Sequence, residues 1–104
     1  MSSRIETLTN LLEQDPNNSR LRYMLAMETI NSGDLGGAAV IFDTLLEKDP
    51  DYSAAYFHGG QTLEKLGRTS DAIAIYRRGV EATSRNGDSH ARSELEGALA
   101  MLGG

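Results

Sequence analysis

The stretch Asp49-Pro50-Asp51-Tyr52 lies near the middle of this 104-residue sequence and is expected to end a helix. Proline lacks a backbone N–H, fixes its own φ and disfavours the α conformation of the residue before it. A matching stretch, Asp15-Pro16-Asn17-Asn18, lies 34 residues upstream. Matching segments at such a spacing are typical of chains built from stacked helical repeats. We therefore expect this chain to divide into helical units of a common length.

Apolar residues at helical spacing occur on both sides of the two proline stretches. They predict six helices, at residues 4–14, about 19–31, about 35–48, 53–66, about 69–83 and about 88–102. We expect Ser19 and Thr69 to cap the second and fifth helices, and Asn86-Gly87 to form the turn before the sixth. The connecting loops are about three to six residues long, so consecutive helices should be antiparallel neighbours in an all-α protein.

The composition argues against several classes of function. Ten Lys and Arg residues stand against fifteen Asp and Glu residues, giving a net charge of −5. This balance disfavours nucleic acids and anionic membranes as partners. The absence of cysteine rules out disulfides, a thiol nucleophile and a thiolate metal site. Because no secretory signal and no apolar run of roughly 20 residues is found, we expect a cytoplasmic protein.

The segments at residues 19–52 and 53–86 are both 34 residues long and carry the same residue types at matching positions. They share a small residue in the first helix, a glycine between the helices, and a small and an aromatic residue in the second helix: Ala26 and Gly60, Gly33 and Gly67, Ala38 and Ala72, Phe42 and Tyr76. In this pattern the chain resembles the tetratricopeptide repeat family. It departs from the family pattern at Gly59 and Gly79, and at Ser84, which replaces a closing proline.

The resemblance implies one domain, residues 1–104, folded as a short right-handed α-solenoid. It divides the chain into a half-repeat helix at 4–14, repeats at 19–52 and 53–86, and a capping helix at 88–102. In this family the first helix of each pair lines a concave groove that binds a peptide segment of a partner protein. The groove positions carried onto this sequence are Tyr23, Met24, Met27, Phe57, His58, Gln61 and Arg92.

Two interpretations of these groove residues remain open. Methionine and aromatic side chains make large, adaptable contacts, which favours a binding role. The alternative is that they only bury against a neighbouring helix. Some family members bind a C-terminal carboxylate through Lys, Asn and Arg, but only Arg92 matches that clamp. We therefore expect a more apolar peptide as the ligand.

A second hypothesis is structural rather than recognition-based. The first helix resembles the second half of a repeat whose partner helix is missing, so an apolar edge at Ile5, Leu8 and Leu12 is expected to be uncovered. Repeat arrays need polar caps, and an uncapped end favours pairing with a second copy. The alternative function is thus self-assembly as a homodimer.

Catalytic features are weak. His90 and Glu94 have the i, i+4 spacing of two metal ligands on a helix, but a zinc site requires three or four protein ligands. His58 has no neighbouring serine or cysteine in a nucleophile arrangement. We expect neither an enzyme nor a bound metal or cofactor.

Overall fold

The computed structural model describes residues 3–104, so the first two residues of the predicted 1–104 domain lie outside it. It contains six α-helices: α1 Arg4–Gln14, α2 Ser19–Asn31, α3 Leu35–Lys48, α4 Ser53–Lys65, α5 Thr69–Asn86 and α6 Ser89–Met101. The described residues form no strand. The predicted all-α class and the number of helices are confirmed.

Each helix packs mainly against the helices that precede and follow it in the chain. Neighbours are antiparallel. In the first pair, Arg4 at the start of α1 lies beside Glu28 near the end of α2, with 2.8 Å between Arg4 Nε and Glu28 Oε1. The one substantial contact between non-consecutive helices joins α4 to α6. The resulting stack is elongated, with extents of 44 × 29 × 19 Å. Contacts dominated by sequence neighbours are the organisation of a repeat solenoid.

The predicted caps of α2 and α5 are wrong by one residue. Asn18 caps α2, because its side chain accepts a hydrogen bond from the Leu21 N–H at 3.0 Å while Ser19 is already helical. Arg68 occupies the cap position of α5 without a side-chain cap bond, and Thr69 is the first helical residue. A capping side chain must belong to the residue before the helix so that it can reach the free N–H groups of the first turn.

Helix α5 extends three residues beyond the predicted end at Thr83, to Asn86. No proline stands at position 84 to stop it, and the Ser84 hydroxyl instead donates a hydrogen bond to the Val80 carbonyl at 2.7 Å. The helix ends at Gly87, whose φ of 77° is left-handed. Glycine reaches that conformation without steric cost, so it replaces proline as the stop signal.

The core between α4 and α5 depends on two glycines that each face a tyrosine of the opposite helix. A Cβ atom at Gly60 would overlap the ring of Tyr76, which is fully buried. A Cβ atom at Gly79 would lie 2.7 Å from the Cβ atom of Tyr56, which is also buried. The missing side chains therefore let the helix backbones approach each other closely. The departure from the family pattern at Gly79 has a packing reason.

We expect Gly60→Ala to lower the free energy of unfolding by about 1–3 kcal/mol, because the added methyl group would displace the fully buried ring of Tyr76. Gly97→Ala is the matched control. It places the same methyl group in the middle of α6, where no atom lies within 4 Å, and should raise stability by roughly 0.5–1 kcal/mol. Urea unfolding followed by circular dichroism measures both. Equal effects of the two substitutions would contradict this account of the core.

Candidate functional site

A row of aromatic rings runs from α2 across α4 to α5. The Tyr23 ring centroid lies 5.3 Å from that of Tyr52 and 5.9 Å from that of His58. The row continues from His58 to Phe57 at 5.6 Å and from Phe57 to Tyr76 at 6.5 Å. We call these five residues the ring row. All of them except the buried Tyr76 are half-buried, so their edges remain accessible to a ligand.

A pocket of about 350 Å³ lies at one end of the ring row, between α4 and α6. We call it the α4/α6 pocket. Its lining residues are Phe57, Gln61 and Glu64 from α4, Tyr76 from α5, and Glu94, Gly97, Ala98 and Met101 from α6. The rings and the small and methionine side chains form an apolar surface. The two carboxylates are the only charged groups in the lining.

The predicted groove residues fall into three groups. Phe57 and Gln61 line the α4/α6 pocket. Tyr23 and His58 belong to the ring row, and His58 joins Tyr23 to Phe57. Met24 and Met27 are half-buried on α2, and Met27 packs against the core.

Arg92 lies away from the α4/α6 pocket. It stands two positions before the pocket residue Glu94, so the two side chains are roughly 200° apart around the helix axis. Its Nε atom lies 3.3 Å from Glu96 Oε1, on the same face of α6. The helix is oriented by Leu95, which is fully buried against the core.

Sequence reasoning missed the α6 wall of the pocket. Glu94, Gly97, Ala98 and Met101 recur at intervals of three and four residues, which places them on one face of the helix. Met101 is 87% exposed and is the largest apolar side chain on this face. The spacing was available in the sequence, but the rotation of α6 about its own axis was needed to aim this face at α4.

The carboxylate of Glu64 is held in place by a buried phenol. Tyr76 Oη donates a hydrogen bond to Glu64 Oε2. Burial raises the pKa of Tyr76 well above its ordinary value of 10.0, and the hydrogen bond to Glu64 and the charge of Glu64 act in the same direction. The phenol therefore keeps its proton at neutral pH. A fixed donor of this kind restricts the rotamers of the glutamate and orients it at the pocket wall.

The imidazole of His58 is biased toward its neutral form. Burial lowers the pKa of His58 below its ordinary value of 6.5. The negative charge of Glu94 opposes this effect, and the positive charge of Lys65 adds to it. The ring row is therefore uncharged at neutral pH, and its aromatic edges are available for apolar contacts.

A second pocket, of about 400 Å³, lies between α3 and α5 and contains none of the predicted groove residues. Its floor includes Gly59 and Leu63 of α4, and its rim includes Val40, which is 67% exposed. The rim charges are mixed in sign, and Arg68 and Asp71 already pair at 2.9 Å. This larger pocket is more polar than the α4/α6 pocket, and two of its charged groups already pair with each other.

The predicted dimer edge on α1 needs a correction. Leu8 is only 5% exposed, because α1 packs antiparallel on α2, so the prediction that Leu8 is uncovered is wrong. Ile5 and Leu12 are half-buried. The exposed apolar residue of this helix is Leu11, at 43%.

Among residues 3–104, no group of three or more His, Cys, Asp or Glu side chains is arranged to hold a metal ion. His90 Nε2 and Glu94 Oε1 lie 3.3 Å apart as a pair on the surface of α6. None of the six helices is long and apolar enough to cross a bilayer.

The family model for the tetratricopeptide repeat (TPR) matches residues 30–102, which is more than half of the chain. The chain belongs to the TPR family. The matched span runs from the end of α2 through α6, so it includes both walls of the α4/α6 pocket. A TPR repeat-containing protein of Pseudomonas aeruginosa is 29% identical over 98 residues, covering 94% of this chain and 93% of that protein.

Solved structures share the fold. The crystal structure of a TPR domain protein from Salinibacter ruber is 36% identical, with a TM-score of 0.77 over 82% of this chain and 94% of that one. The solution structure of a protein from Bordetella parapertussis is 28% identical, with a TM-score of 0.82 over 99% of this chain and 90% of that one. These likenesses confirm the predicted helical-repeat solenoid.

The depressed pKa of His58 predicts a pH-dependent stability. Below pH ~6.5 the unfolded chain takes up a proton that folded His58 resists, so the free energy of unfolding should fall as the pH drops through that value. Above it both states are neutral and the penalty disappears. We expect His58→Gln to remove this part of the pH dependence in urea titrations at a series of pH values. His90→Gln, at the exposed histidine, is the control and should retain it. An unchanged slope in His58→Gln would exclude His58 as its source.

Proposed function

We propose that this TPR protein is a non-enzymatic interaction module that binds a peptide segment of a partner protein in its concave groove. TPR repeats are generally protein-interaction modules, which supports the class of function. The observation that carries the proposal is the α4/α6 pocket, an accessible apolar pocket that continues into the ring row. The cytoplasmic location expected from the sequence is part of the same proposal.

The dimensions of the pocket favour a peptide over a bulky small molecule. Its volume of about 350 Å³ is near the lower end of the range for ligand pockets, which is ~300–1,000 Å³. The ring row extends the apolar surface beyond the pocket toward α2. A peptide can place one side chain in the pocket and lay its neighbours along the rings. Aromatic anchors in such positions carry much of the energy of protein interfaces.

The rigidity of the walls also supports binding. Phe57 packs on Tyr76, and Tyr76 is locked between the Gly60 backbone and the Glu64 carboxylate. Side chains that are already ordered lose little conformational entropy when a ligand arrives. The walls therefore bring a low ordering cost to the complex.

The second candidate function is self-association through α1. Among the described residues, helix α1 packs mainly against α2; Leu11 is exposed on it, and Ile5 and Leu12 are half-buried. An apolar edge at the end of a repeat stack is a pairing surface for a second copy. The candidate shares no residue with the α4/α6 pocket, so the two functions can be tested separately.

Blocking the pocket from α6 should abolish partner capture without disturbing the fold. Gly97 lines the pocket and has open space at its Cβ position, so Gly97→Phe would place a ring in the pocket. The matched control is Gly97→Ala, which leaves the volume free. Replacing Tyr23 and Phe57 by alanine is a weaker test because both rings pack against the core.

The test of this prediction is affinity capture from lysate, followed by mass spectrometry, with the wild type, Gly97→Ala and Gly97→Phe as baits. Proteins held by the first two baits and lost from the third are the expected result. Identical capture by all three baits would remove the α4/α6 pocket from consideration.

If α1 mediates self-association, Leu11→Glu should convert a dimer to a monomer. The apolar contact would be replaced by a desolvated charge. Asn10→Glu, at the adjacent exposed position, adds the same charge without removing an apolar side chain and should remain dimeric. Light scattering over a range of protein concentrations distinguishes the forms. A wild-type protein that is monomeric throughout would eliminate this candidate.

A further inference from the structure

We propose that the α4/α6 pocket selects peptide segments that insert a basic side chain, arginine in preference to lysine, beside an apolar neighbour. This inference rests on the proposed peptide-binding function and specifies the chemistry of the partner. Some relatives bind a C-terminal carboxylate, but only Arg92 matches their clamp, and the sequence predicted a more apolar peptide. The charges of this pocket point in the opposite direction.

The charges of the pocket complement a basic side chain. Glu64 and Glu94 stand on opposite walls of the pocket, and no Lys or Arg is among its lining residues. A cation entering between them interacts favourably with both carboxylates, whereas a carboxylate ligand would be repelled by both.

Several Arg residues of the chain pair with acids outside the pocket. Glu28 pairs with Arg4, Asp71 with Arg68, and Glu96 with Arg92. Within residues 3–104, no Lys or Arg lies within pairing distance of either pocket glutamate; Glu94 pairs with the exposed His90 and lies near enough to His58 to oppose the lowering of its pKa by burial. A basic side chain of a ligand therefore need not displace a Lys or Arg of the chain from either glutamate.

The apolar surface of the pocket suits the aliphatic stem of a basic side chain. Lys and Arg carry long aliphatic stems that pack on apolar groups while the charged end stays with polar partners. Phe57, Ala98 and Met101 supply such a surface. The half-buried ring of Phe57 also provides an aromatic surface near the cation. Arginine gains more than lysine from aromatic stacking and from two-point bonding to a carboxylate, which sets the preference.

The Glu64 carboxylate is already held in place before a ligand binds. The Tyr76 phenol bonds one carboxylate oxygen of Glu64 and fixes its rotamer. The other oxygen has no hydrogen-bond partner among the described residues and remains available to a guanidinium. Little side-chain entropy is then lost at Glu64 when the cation binds.

A random peptide library displayed on phage is the probe that tests this inference. Selection on the wild-type protein should enrich peptides with an Arg or Lys next to an apolar residue. A synthetic copy of the leading peptide should bind about 10-fold more weakly to Glu64→Gln/Glu94→Gln, since two partly exposed ion pairs are lost. Replacing its basic residue by norleucine should produce a similar loss on the wild type and little further loss on the double variant.

Two controls keep the result specific. Glutamine at position 64 still accepts a hydrogen bond from the Tyr76 phenol, so the double variant retains the packing of the pocket. Glu96→Gln removes one charge from the opposite face of α6 and should leave peptide affinity unchanged. The single variant Glu94→Gln, which changes a residue that is not buried, should show a loss of about 3-fold without any risk to folding.

The outcomes separate the two proposals. Peptides that lose binding to Gly97→Phe but carry no basic residue, or keep their affinity for the double variant, overturn the inference and leave the peptide-binding groove standing. Peptides with acidic residues or a required C-terminal carboxylate also overturn it. Failure to enrich any peptide, or binding that Gly97→Phe does not affect, overturns both.

Discussion

The contact between the Tyr76 ring and the backbone of α4 at Gly60 is the constraint on which the rest of the structure depends. The reciprocal contact places Tyr56 of α4 against Gly79 of α5. Each glycine lowers the intrinsic helix propensity of its own segment by up to ~1 kcal/mol. Burial of two large aromatic side chains offsets that cost, since each removes a large apolar area from water. The tyrosine hydroxyls then extend the arrangement: Tyr76 reaches Glu64, and Tyr56 donates to the Pro50 carbonyl at 2.7 Å. The same pair of rings thus sets the spacing of α4 and α5, anchors the central loop and orients a pocket carboxylate.

The positions of the helices could be predicted from the sequence because they follow from local rules. Proline at positions 16 and 50 and glycine at positions 33, 67 and 87 act within one or two residues of where they stand. The errors also have local causes. Neighbouring polar residues such as Asn18 and Ser19 are both good caps, and propensity alone does not decide between them. The length of α5 was underestimated because the consequence of Ser84 in place of proline depends on how far the helix can continue before a glycine.

The candidate site was predictable only where the repeat pattern applies. Phe57 and Gln61, which line the pocket, were predicted from the groove positions of the repeat in α4. Helix α6 follows the last repeat, and its rotation is fixed by Leu95 in the core rather than by the period. Arg92 therefore lies outside the pocket, and Glu94 and Met101 replace it there. Leu8 was misjudged for a related reason: a helix at the end of a stack still has one covered face.

Because the helices stack mainly on their nearest neighbours, resistance to local opening differs along the chain. Helix α1 has one neighbour, whereas α4 packs against α3, α5 and α6. In a linear array of this kind, local opening starts at the terminus with the fewest interfaces and need not spread to the middle. The walls of the α4/α6 pocket are supplied by α4, α5 and α6, which share interfaces with one another. Amide protons of α4 and α5 in these walls should exchange with solvent more slowly than those of α1, which exchange through fraying. The α4/α6 pocket is thereby insulated from events at the N-terminal end of the chain.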